Sequence, residues 1–101
     1  MDETTAIALV DAALEIVYRT KYIREVWYIP ISTRRTSRPS LALVFAEGAY
    51  TYSDLAEARD IATAYLPQRR GSTSLQACFV DAFTPDEISQ EMRRGNAYRL
   101  V

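Results

Sequence analysis

Phe83-Thr84-Pro85-Asp86-Glu87-Ile88 carries a change of structural period within six residues. Behind it, Leu75, Ala77, Phe79, Asp81 and Phe83 fall on one side of a two-residue repeat and Cys78, Val80 and Ala82 on the other, which predicts a strand over 75–83. Ahead of it a helix begins. Thr84 suits the N-cap, Pro85 the first helical position, where a missing N–H costs nothing, and Glu87 the reciprocal capping position. Ile88 and Met92 are expected to give this helix its apolar side, and Gly95 to stop it in a left-handed C-terminal turn. Asn96 to Val101 can add a short final strand.

Working back toward the N-terminus, a helix is expected from Ser53 to Leu66, with Leu55, Ala58, Ala62 and Tyr65 on one face. Ser53 or Asp54 is its expected cap, and Pro67 closes it. Gln68 to Ser74 reads as a polar loop. Leu41 to Ala46 is an uninterrupted apolar run, the pattern of a strand buried on both faces. Ile23 to Ile31 is rich in β-branched and aromatic residues and predicts a strand; Pro30 cannot donate to a ladder, so the strand ends there or has a free edge there. Between these two strands lies Ser32 to Ser40, polar throughout, so the pair reads as a hairpin with a long cationic connection. The first segment, Asp2 to Thr20, has Ile7, Val10, Leu14 and Val17 at helical spacing, with Leu9, Ala13 and Ile16 widening the stripe.

The expected fold is therefore a small α+β domain of order αββαβα, a mixed sheet packed by helices, spanning residues 1–101 as one domain. A chain of 101 residues with 49% hydrophobic and 25% charged content suits a single core. Twelve basic and thirteen acidic residues leave a net charge of −1, which argues against a dedicated nucleic-acid binder. No apolar run is long enough to cross a bilayer, so no membrane association is expected. A single cysteine forbids an intrachain disulfide, and the acidic Met1-Asp2-Glu3 start lacks a signal peptide's basic opening; a cytoplasmic location is expected. With no histidine, His-based triads and the usual zinc sites are excluded.

Three stretches carry a resemblance. Ile23-Arg24-Glu25-Val26-Trp27-Tyr28-Ile29-Pro30-Ile31-Ser32, Ser40-Leu41-Ala42-Leu43-Val44, and Phe83 to Ile88 continuing through Arg94-Gly95 to Tyr98 resemble the minimal nucleotidyltransferase family, whose small members often form the antitoxin half of a two-gene pair. The resemblance implies a first strand leading to a Gly-Ser turn, here Ile31-Ser32, and two metal-binding aspartates, here Ser40 and Ala42. The family's third carboxylate falls on Cys78, with Asp81 three residues later. Serine, alanine and a neutral thiol cannot hold the magnesium ions that such phosphoryl transfer needs. The resemblance thus implies a domain with its chemistry removed: no catalytic residues, no bound metal, no cofactor, and no enzyme activity.

What remains for function is binding. Ser32, Thr33, Arg34, Arg35 and Arg38 form a candidate anion- or partner-binding loop, because guanidinium groups interleaved with hydroxyls suit phosphates and carboxylates. Arg69 and Arg70 are a second candidate of similar composition. The ordinary alternative for both is a solvated loop. The aromatic set of Trp27, Tyr28, Tyr50, Tyr52, Tyr65 and Tyr98 is a candidate for an interface; Trp27 and Tyr28 must face opposite sides of their strand, so one is open to a partner unless both are packed within the monomer. Cys78 reads as a structural thiol, and Asp81 as an acceptor near the turn into Thr84. The expected role is non-catalytic and regulatory, through another protein or self-association, and the resemblance implies an antitoxin-like one. The alternative is a small α/β homo-oligomeric interaction or structural protein of unrelated ancestry.

Overall fold

Alternate residues of one strand assign the layers. In β1 (Ile23–Ile29), Val26 and Tyr28 are buried against one set of helices, while Trp27 and Ile29 are buried in a second cluster on the opposite face. Trp27 and Tyr28 are thus both packed inside the monomer and neither supplies an open interface, whereas Tyr50, Tyr52, Tyr65 and Tyr98 are exposed. The computed structural model describes residues 3–66 and 78–101. Pro67, the Gln68 to Ser74 loop with Arg69 and Arg70, and the expected strand residues 75–77 lie outside the described residues.

The elements follow in the order α1 (Glu3–Arg19), β1, β2 (Ser40–Phe45), α2 (Tyr52–Tyr65), β3 (Phe79–Ala82), α3 (Pro85–Arg93) and β4 (Tyr98–Arg99). Among the described residues this is an α+β domain of three helices and a four-stranded mixed sheet, ordered β3-β2-β1-β4. β1 runs antiparallel to β2 and β4, whereas β2 and β3 are parallel and joined through α2. A register shift between Ile23 and Glu25 places Ile23 on the same side as Val26 and Tyr28, because one extra residue inverts the alternation.

The larger core lies between the sheet and the α1–α2 layer. Leu9, Ala12, Ala13 and Ile16 of α1 meet Leu55, Ala58, Ile61 and Ala62 of α2 over Val26, Tyr28, Leu41 and Leu43. On the other face, Trp27, Ile29, Ala42, Val44 and Phe83 pack with Ile88 of α3. β2 sits in the middle and is buried on both sides, as its unbroken apolar run requires.

Three local expectations change. In α1 the stripe expected to widen the core face is the core itself, and Ile7, Val10 and Leu14 point outward. The cap of α2 is Thr51, whose hydroxyl accepts from the Asp54 N–H at 3.2 Å. Asp54 is drawn off to accept from the Tyr22 N–H at 2.7 Å, linking α2 to the start of β1. In α3, Met92 is exposed and Glu91 is buried in its place beside Ile88. The start of α3 follows the sequence closely, with Thr84 and Glu87 forming both bonds of a capping box.

Candidate functional site

The connection between β1 and β2 is folded by its own hydroxyls. The Thr33 N–H donates to the Thr36 carbonyl at 2.9 Å, while Thr33 Oγ1 accepts from the Arg35 N–H and Thr36 Oγ1 from the Arg38 N–H, each at 3.1 Å. Such side-chain turns substitute for a backbone ladder and fix the direction of the arginines between them.

Arg35 is turned back onto the sheet. Its guanidinium donates to the Ala82 carbonyl at 2.6 Å and to Asp81 Oδ2 at 2.5 Å, and Glu87 lies 3.6 Å away. The same group stacks over Phe83, 4.6 Å from the ring centre, and Arg38 lies 5.6 Å over Phe79. Asp81 accepts in addition from the Ala82 N–H at 2.8 Å and lies 3.7 Å from Arg59 of α2. Arg59 Nε donates to the Val80 carbonyl at 3.0 Å. The outer carbonyls of edge strand β3, Val80 and Ala82, are therefore each taken by an arginine from a different element. A guanidinium on each carbonyl blocks the pairing that an open strand edge invites.

The other end of the loop is anchored to α3. Gly95, at φ 69°, closes a Schellman turn in which the Gly95 N–H reaches the Met92 carbonyl and the Asn96 N–H reaches the Glu91 carbonyl. This turn carries Asn96 into the interior. Its side chain accepts from the Ile31 N–H at 3.0 Å, donates to the Ile31 carbonyl at 3.1 Å, and donates to Glu91 Oε1 at 2.9 Å. Arg94 bridges Glu91 Oε1 at 2.8 Å and the Ser32 carbonyl at 3.3 Å. Asn96 and Glu91 were not singled out in the sequence. A glycine stop marks where the helix ends, but not what the next side chain will grip.

The candidate loop residues thus divide. Arg35 is committed to Asp81 and Ala82, and Ser32 offers an exposed side chain above a backbone held by Arg94. Arg34 is exposed and makes no hydrogen bond or ion pair among the described residues. With Thr33, Phe83 and Gln90 it lines a cleft of about 240 Å³ between the loop and α3. A larger cleft of about 490 Å³ lies at the ends of β2 and β3, lined by Phe45, Phe83 and Pro85 with Glu47 and Asp86 at its margin.

The register places the positions of possible chemistry. Ser40 pairs with Phe79 and Ala42 with Asp81, so Asp81 shares a face with Ser40 and Ala42. Cys78 packs instead with the α1–α2 core, and burial pushes its thiol up to about 11, against a smaller lowering by Arg38. Burial also raises Tyr28, with Cys78 a lesser cause. Ser40 is fully buried, and its hydroxyl has no hydrogen-bond partner among the described residues. Among the described residues no three Asp, Glu or Cys side chains are grouped to hold a metal ion, and no helix is long and apolar enough to cross a membrane. Comparison with protein-family models, curated proteins and solved structures finds no match for the chain.

Proposed function

We propose that this chain is a nucleotidyltransferase-like domain that works by binding another protein and not by catalysis, in a regulatory, antitoxin-like role. One observation carries the reading: the only acidic residue among the paired positions of β2 and β3 is Asp81, and its carboxylate is already engaged. Opposite it stands Ala42, beside it Ser40, and its oxygens accept from Arg35 and the Ala82 N–H. A carboxylate neutralised by a guanidinium is a poor magnesium ligand, because the ion would have to displace that cation. The register also favours Asp81 over Cys78 as the counterpart of the family's third carboxylate, since Cys78 lies on the other face.

The binding surface is the loop that Arg35 and Asn96 hold in place. Arg34, with Arg38 and the hydroxyls of Ser32 and Thr33, presents cationic donors on a fixed backbone, which suits an acidic segment of a partner protein. Titration calorimetry with ATP and magnesium tests the non-catalytic part. No magnesium-dependent binding and no nucleotide transfer to added protein are expected; either one overturns the reading. An Arg34→Ala, Arg38→Ala variant tests the surface. It is expected to fold normally and to lose retention on an immobilised poly-glutamate peptide, and unchanged retention removes the loop from the proposal.

A further inference from the structure

The outer face of α1 carries a second apolar stripe. Ile7 (54% exposed), Val10 (37%), Leu14 (51%) and Tyr18 (85%) recur at spacings of three and four, so they form one line down the helix on the side away from Leu9, Ala12, Ala13 and Ile16. Beside the C-terminal half of that line lies a groove of about 680 Å³, walled by Leu14, Val17 and Tyr18 of α1 and by Tyr65 and Val101. A helix that is apolar on two opposite faces has one face more than its own core uses.

We propose that this face is the contact between two copies of the chain, with the two α1 helices packed antiparallel about a two-fold axis near the middle of the helix. Charge at the ends of the stripe selects the occupant. Glu3 stands in the first turn and Lys21 two residues past the last, its ammonium 5.2 Å from the centre of the Tyr22 ring, and neither enters an ion pair among the described residues. Between them the line is apolar. An antiparallel mate sets the Glu3 of each copy against the Lys21 of the other, opposes the helix dipoles, and brings Val10 of one copy to Leu14 of the other. The Ile7 of each copy then reaches toward the groove beside Leu14 and Tyr18 of the other. A parallel mate would oppose like charges at both ends. Asp11 and Glu15 line the same groove to one side of the apolar line, and Glu15 lies 3.8 Å from Arg19.

A strip about 25 Å long and about 10 Å wide is small beside the roughly 800 Å² per partner of a standard interface, so the dimer is weak and reversible. This inference does not depend on the nucleotidyltransferase reading, and it concerns a different surface from the arginine loop.

Sedimentation velocity from about 1 to about 500 µM is the test, and a concentration-dependent monomer–dimer equilibrium is expected. Leu14→Glu acts twice in a two-fold contact and is expected to weaken dimerisation by at least about 10-fold, with a thermal melt unchanged at concentrations where the parent is monomeric, because the residue is exposed there. Glu3→Lys and Lys21→Glu each weaken it, and the double charge reversal restores it only if the helices run antiparallel. A monomer at every concentration overturns the proposal. So does a dimer indifferent to Leu14→Glu, or a monomer that binds phospholipid vesicles through the same stripe.

Discussion

Arg35 in the β1–β2 connection and Asp81 on the edge strand β3 form a direct ion pair at 2.5 Å across 46 positions of sequence. The pair joins the arginine-rich β1–β2 loop to the one acid among the paired positions of β2 and β3, and each removes the other from general availability.

Because the Arg35 guanidinium also holds the Ala82 carbonyl and covers Phe83, its removal leaves the part-buried Asp81 with the Ala82 N–H and the more distant Arg59. Arg35→Ala and Asp81→Asn are each expected to cost about 2 kcal/mol in urea unfolding, with a coupling of about 1–2 kcal/mol in the double-mutant cycle. Arg35→Lys should not restore stability, since an ammonium cannot span both acceptors while stacking on the ring. Additive single-variant costs would show that the two side chains act independently.

Asn96 is the second fastening. Its buried amide satisfies both backbone groups of Ile31, and replacing it removes the partner of a part-buried N–H and C=O and of Glu91 Oε1 at once. Asn96→Ala is expected to lose about 2–3 kcal/mol. Asn96→Asp should lose no less, because it sets an acceptor against Glu91 Oε1 and the Ile31 carbonyl, where the amide had a donor. A thermal melt of either variant within a degree of the parent would refute this.

Ser40 offers a prediction of the opposite sign. A hydroxyl buried in the middle strand without a partner carries an unrecovered desolvation cost. Ser40→Ala should therefore raise stability, by roughly 1 kcal/mol. A loss of that size, read from the urea midpoint, would mean that the hydroxyl is bonded in solution.

Cys78 sets a pH dependence. Its thiol is raised from an ordinary 9.0 to about 11, chiefly by burial. Above pH 9 the unfolded chain gives up this proton while the fold keeps it, so the unfolded state binds fewer protons and stability falls as pH rises. The expected loss from Cys78 is about 1 kcal/mol between pH 9 and pH 10, and it continues toward pH 11. Tyr28, also raised, adds to the decline only above its ordinary 10.0. Urea denaturation at pH 8.5, 9 and 10 checks this, and Cys78→Ala should flatten the profile over that window. An identical slope in the variant would assign the loss elsewhere.

Where a feature depended on neighbours in the chain, its residues were enough to read it. Thr84, Pro85 and Glu87 start α3 because capping is completed within four residues, and Gly95 ends it because a left-handed backbone suits a residue without a side chain. The same holds for the uninterrupted run of β2 and for the stop of β1 before Pro30. Legibility fails where two patterns compete for one element. In α1 two apolar stripes share the helical period, and spacing alone ranks them equally; only the position of the sheet makes Leu9, Ala13 and Ile16 core and leaves Ile7, Val10 and Leu14 outside. The candidate loop shows the same division, since Arg34, Arg35 and Arg38 are alike in composition and differ only in what lies beneath them.

The sequence by itself determined an α+β domain, the order of its elements, the ends of α3, and described strands that carry no Asp-x-Asp or Glu-x-Glu pair. Those properties are local or compositional, and no packing can supply a carboxylate that the chain does not encode. The tertiary structure alone decided that Asp81 faces Ala42, that Arg35 is held by Asp81 while Arg34 is not, and that Asn96 anchors Ile31. Each of these contacts joins residues far apart in sequence, and its existence depends on the register and face that the whole sheet imposes.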